Sequence, residues 1–124
     1  MEIEFIGHAG FRIDNIAIDP WLEKFKVSKT PAAIIITHDH ENHHKGAFKL
    51  ANKHSIPVIG TPETIKQANN QVGMNIGGPS TITDFTISLT QAFHTGNPTG
   101  VILQKDDTTI YHTGDKHTHQ SEIR

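Results

Sequence analysis

Residues 36–47 read ITHDHENHHKGA, which sets four histidines, an aspartate, a glutamate and an asparagine directly after an apolar run. His38 and His40 are two residues apart. In extended chain that spacing projects both side chains to one side, about 6–7 Å apart, close enough to share one metal ion. His43 follows after a short turn. Far along the chain, His94 in QAFHTG and Asp115 in YHTGD follow other candidate strands, so the set can meet only through the fold. Imidazoles with one carboxylate form a normal coordination set for Zn2+ and are acceptable to Mn2+ or Fe2+. Such an ion brings the pKa of water toward neutrality and so makes a nucleophile for hydrolysis.

The histidines are concentrated: of ten in 124 residues, His38, His40, His43, His44, His94 and His112 lie in or beside three predicted strand ends. Histidines on loops are often simply solvated, and that reading is preferred for His44, His54, His112 and His119. Glu41 is read as facing solvent. His117 and His119 fall in a tail expected to fray.

The elements that must position these groups follow from periodicity. Ile3 and Phe5 alternate with Glu2 and Glu4, which predicts a half-buried strand, and FRIDNIAID predicts a hairpin turning at Asp14-Asn15. AAIIIT is apolar at consecutive positions, as expected of a central strand covered on both faces. KGAFKLANKHS carries Ala47, Phe48, Leu50 and Ala51 at helical spacing. PVIG predicts a short buried strand, and TPETIKQANNQ a second helix with Thr61 as N-cap and Pro62 at the first helical position. Strand, helix, strand, helix predicts parallel pairing. DFTISLTQ then puts Phe85, Ile87 and Leu89 on one face and Thr86, Ser88 and Thr90 on the other, and GVILQKDDTTIYHTGD predicts a hairpin turning at Asp106-Asp107. The fold class is α/β with mixed strands. Loops at the carboxyl ends of parallel strands are where such folds place their sites, which suits the segment after AAIIIT.

Composition narrows the function. Eleven basic against thirteen acidic side chains give a formal charge of −2, which favours neither a nucleic-acid partner nor an electrostatic membrane anchor. The absence of cysteine excludes disulfides, thiolate ligands and a Cys nucleophile, and it fits a reducing compartment. MEIEFIGHAG lacks the plan of a signal peptide, and no apolar run has the length of a membrane span. A soluble, cytoplasmic protein acting on a small-molecule substrate is expected.

The ordered set GHAGFRI, IAIDPW, IIITHDHENHH, AFH and YHTGD resembles the metallo-β-lactamase superfamily, closest to its branch of metal-dependent hydrolases related to ascorbate-6-phosphate lactonase. It covers essentially the whole chain. The resemblance implies an αββα sandwich, with residues 1–124 as a single truncated domain: roughly the first half plus the start of the second, a mixed sheet with two helices. It matches His38, His40 and His94 to the first metal position, Asp115 to the bridging carboxylate and His43 to the second metal position. Asn42, Asp115 and His8 are then the expected catalytic positions, and Asp19 is expected to support the motif loop from behind. Two departures stand out. The family has an aspartate where this chain has Asn42, and an amide gives up both charge and proton-accepting ability. The family also continues for many tens of residues beyond Gly-Asp to a final histidine.

The function so implied is a metal-dependent hydrolase in which hydroxide generated at one or two Zn2+ ions, or Mn2+ or Fe2+, attacks a phosphoester, lactone or related centre. The alternative is a catalytically impaired metal-binding half-domain that assembles as a homodimer. With the second half absent, the inner face of the first sheet is expected to be covered by a partner chain.

Overall fold

The computed structural model describes residues 2–6, 10–20, 30–37, 46–74, 79–91 and 99–112. The first sheet has six strands in sequential order: β1 (Ile3–Phe5), β2 (Phe11–Ile13), β3 (Ile16–Ile18), β4 (Ala33–Ile35), β5 (Val58–Gly60) and β6 (Gln71–Gly73). β1–β2 and β2–β3 pair antiparallel; β3–β4, β4–β5 and β5–β6 pair parallel. The second sheet is antiparallel throughout, with β7 (Ser80–Ile82), β8 (Phe85–Gln91), β9 (Thr99–Lys105) and β10 (Thr108–His112) in the order β10-β9-β8-β7. A single helix, α1 (Ala47–His54), lies among the described residues.

The apolar run AAIIIT is continuous because both faces of β4 are covered. Ala33 and Ile35 pack between the sheets with Ile13, Ile16 and Ile18, against Phe85, Ile87, Leu89, Val101 and Leu103 of the second sheet. Ile34 and Ile36 face the other way, toward Ala47, Phe48 and Ala51 of α1 and toward Ile65 and Ala68. The helix is amphipathic by the spacing of those residues, with Lys49, Lys53 and His54 exposed. It stops at Ser55, which takes a left-handed φ of 55°, and Ile56 N–H donates to Ala51 O at 2.9 Å as the chain turns into β5. No helix among the described residues is long and apolar enough to cross a membrane.

Four expectations are corrected. The second helix predicted from Thr61 is a run of turns. It begins with Ile65 N–H donating to Thr61 O at 3.2 Å, but Ala68 N–H donates to Ile65 O three residues back. The next carbonyls are taken by side-chain amides: Gln71 Nε2 donates to Lys66 O and Ala68 O, and Asn52 Nδ2 to Gln67 O. The ten residues between β5 and β6 are also at the lower limit for a parallel crossover. Second, Ile3 and Phe5 are 58% and 62% exposed. Their strand is the edge of its sheet, so apolar alternation there does not find a covering layer. Third, the inner face of the first sheet from β2 to β6 is covered by the chain's own second sheet, with β1 left outside that contact. Fourth, β6 and β7 are strands that periodicity did not indicate.

Candidate functional site

Strand directions bring together the strand ends that precede the candidate residues in the sequence. β1, β3, β4 and β5 run the same way, so their carboxyl ends share one end of the first sheet. β8 and β10 likewise run parallel to each other on either side of β9. Two contacts fix how the sheets are stacked. The Phe11 ring, which lies opposite both Phe5 and Ile18, meets the ring of His112 edge to face at 5.8 Å. At the opposite end Lys105 Nζ lies 3.2 Å from Asp14 Oδ2, joining the β9–β10 hairpin to the β2–β3 turn. The carboxyl ends of β1, β4, β8 and β10 therefore lie at one end of the sandwich.

Those four strands are the ones that precede the candidate residues. Ile6 N–H donates to Gly10 O at 2.9 Å, closing the base of the segment that contains His8. Thr37 immediately precedes His38, Gln91 precedes the segment with His94, and His112 precedes the segment with Asp115. His8, His38, His40, Asn42, His43, His94 and Asp115 themselves lie outside the described residues, as do Glu41, His44, His117 and His119. Among the described residues no group of three or more His, Cys, Asp or Glu side chains is arranged to hold a metal. The candidate donors that follow these strands in the sequence are nitrogen and oxygen only, a set whose chemistry fits a divalent ion.

The described residues show how the exit from β4 is fixed. Asp19 is fully buried with a left-handed φ of 47°, and its N–H donates to Ile35 O at 2.9 Å. Its carboxylate accepts the backbone N–H of Thr37 at 2.7 Å and the Thr37 hydroxyl at 2.6 Å. A buried carboxylate is tolerable when its oxygens are bonded in this way, and the two bonds fix both the backbone and the side chain of the residue before His38. Ile36 N–H extends the parallel ladder to Ile59 O at 3.0 Å. Gly60 permits this approach: a Cβ there would lie 2.9 Å from Ile36 O and 2.8 Å from Ile65 Cγ2.

At the exit from β10, the solvated reading of His112 is corrected. It is 9% exposed and lies on the inner face in register with Val101, two residues after Ile110 on the same face. The period-two spacing of Ile110 and His112 was the signal available in the sequence. His54, by contrast, is exposed as expected.

The sequence profile of the beta-lactamase superfamily domain matches residues 10–124. Metal-dependent hydrolases of two archaea are similar. That of Caldivirga maquilingensis is 32% identical over 134 residues, covering 91% of this chain and 59% of the relative. That of Pyrobaculum islandicum is 34% identical over 139 residues, covering 93% and 61%. The chain thus spans about three-fifths of the length of these relatives. Among solved structures, a metallo-beta-lactamase fold protein of Bacillus subtilis superposes with a TM-score of 0.69 at 18% identity, over 90% of this chain and 55% of its own. An isothiocyanate hydrolase from Delia radicum gut bacteria superposes with a TM-score of 0.71 at 18% identity, over 94% and 63%.

Proposed function

The chain belongs to the metallo-β-lactamase superfamily, and from that membership we propose that it is a metal-dependent hydrolase whose site forms at the end of the sandwich where β1, β4, β8 and β10 finish. The observation that supports this reading is the shared direction of those strands, which puts the strand ends preceding His8, His38, His40, His94 and Asp115 in the sequence at one end. His38, His40, His94 and Asp115 hold the first ion, and His43 with Asn42 flanks a second position. Zn2+ is the proposed ion, with Mn2+ or Fe2+ served by the same donors. When bound, the ion would make water nucleophilic near neutral pH, and the substrate centre it suits is a phosphoester, lactone or related centre. Asp115 would serve as the carboxylate ligand of the ion. Asn42 keeps the shape of the family's aspartate but accepts no proton, so turnover is slow or runs on one ion.

The test is hydrolysis of bis-p-nitrophenyl phosphate and of a simple lactone, with and without chelator. Chelator-sensitive hydrolysis that rises in Asn42→Asp is expected. No hydrolysis of either substrate by the native chain or the variant contradicts the reading. A second reading, an impaired metal-binding unit that self-associates, is favoured by Asn42 and by exposed Ile3 and Phe5 on the edge strand. Light scattering at two protein concentrations decides it, and a monomer at both removes it.

A further inference from the structure

The inner faces of the two sheets are apolar almost throughout, with Ile13, Ile16, Ile18, Ile35, Phe85, Ile87, Leu89, Val101 and Leu103 among the buried residues. Among the described strand residues, His112 is the polar side chain buried on these faces. It occupies the last described position of β10, three residues before Asp115. An apolar or phenyl side chain packs equally well against Phe11 without the cost of taking a polar ring out of water. The ring is also held: Phe11 meets it at 77° between planes, and Phe5 in turn braces Phe11 edge-on at 5.4 Å. Asp19 is the corresponding buried polar residue at the exit from β4, where its bonds to Thr37 fix the residue before His38.

We propose that His112 is a positioning residue for the metal centre. It fixes the strand end from which the Asp115 segment departs, and the hydrogen-bonding capacity of its ring, not only its bulk, sets the affinity for the ion. This rests on the metal-site reading above. Polar partners behind metal ligands typically govern affinity by about 10–100-fold.

The experiment is a Co2+ titration of the full chain, followed by visible absorption, with folding checked by circular dichroism and thermal melting. His112→Phe keeps an aromatic ring for the Phe11 contact and removes both nitrogens. It is expected to stay folded, bind Co2+ about tenfold or more weakly and shift the visible bands. His112→Gln retains a donor and an acceptor and is expected to bind within about threefold of the native chain, given that side-chain inventory. Native affinity and spectrum in folded His112→Phe overturn the proposal. A loss in folded His112→Gln as large as the loss in His112→Phe also overturns it. Should His112→Phe not fold, His112→Gln decides alone: near-native affinity supports the proposal and a tenfold loss overturns it. If the native chain itself takes up no Co2+, the metal-site reading fails and this inference with it. Uptake that His38→Ala abolishes but His112→Phe leaves unchanged sinks only the inference.

Discussion

The two ends of the sandwich are built on different principles. At one end the chain reverses in two residues three times, at Asp14-Asn15, Thr83-Asp84 and Asp106-Asp107, with the first residue of each pair at a φ of 51°, 53° and 52°. There the partly exposed Lys105 lies 3.2 Å from Asp14 and 3.9 Å from Asp84, over the ring of Phe85. At the other end, among the described residues, Asp19, Thr37 and His112 are buried, at 0%, 1% and 9% exposure. Exposed pairs contribute little to stability, whereas buried polar groups are costly unless fully bonded. Placing these three where the candidate-bearing segments depart separates holding the sheets together from aiming the site.

The sharpest break of that division is Asp19→Ala. It leaves the buried N–H and hydroxyl of Thr37 without their acceptor, and a loss of about 3 kcal/mol is expected in urea unfolding, with a weakened metal site. Asp19→Asn, which keeps one acceptor oxygen, should lose roughly half as much. Next is Gly60→Ala. The added Cβ meets backbone at Ile36 O, which cannot swing away, so a loss of about 2 kcal/mol is expected in the same measurement.

The turn end should respond least. Lys105→Met is expected to lower stability by about 0.5 kcal/mol, less in high salt, and to leave metal uptake unchanged. The Glu2 backbone N–H, bonded at 2.8 Å, and then Lys105 hold the Asp14 carboxyl below its ordinary value of 3.8. Because the folded value is the lower one, the stabilisation is complete above the ordinary value and is lost as pH falls through the folded one. The stability gap between the native chain and Asp14→Asn should therefore narrow only in acid, below about pH 4, as thermal melts across pH would record.

The same division explains what the sequence made legible. The turns at Asp14-Asn15 and Asp106-Asp107 and the doubly covered AAIIIT strand are local patterns, and the structure has them where periodicity puts them. β6 was not legible, because Gln71 and Gly73 are exposed and the strand is defined by backbone pairing with β5. The expected helix at Thr61 failed for a tertiary reason: Asn52, on a different element, takes the Gln67 carbonyl and the Asn69 N–H. The solvated reading of His112 fails because the Ile110–His112 spacing marks a shared face, but that this face is covered follows only from the packing of the first sheet, where Phe11 meets the ring. As for the candidate site, the donor types and order of His38, His40, His94 and Asp115 are a reading of the sequence, and these residues lie outside the described ones. That their strands end together follows only from the pairing directions and from the Phe11–His112 and Lys105–Asp14 contacts.

The central claim is that this end of the sandwich holds a metal ion. Its most direct test is metal per chain, by elemental mass spectrometry, on protein purified without chelator or added metal, beside the His38→Ala, His40→Ala double variant. The account predicts at least one transition-metal ion per native chain and none in the folded variant. A metal-free native chain, or equal metal in both proteins, would contradict it.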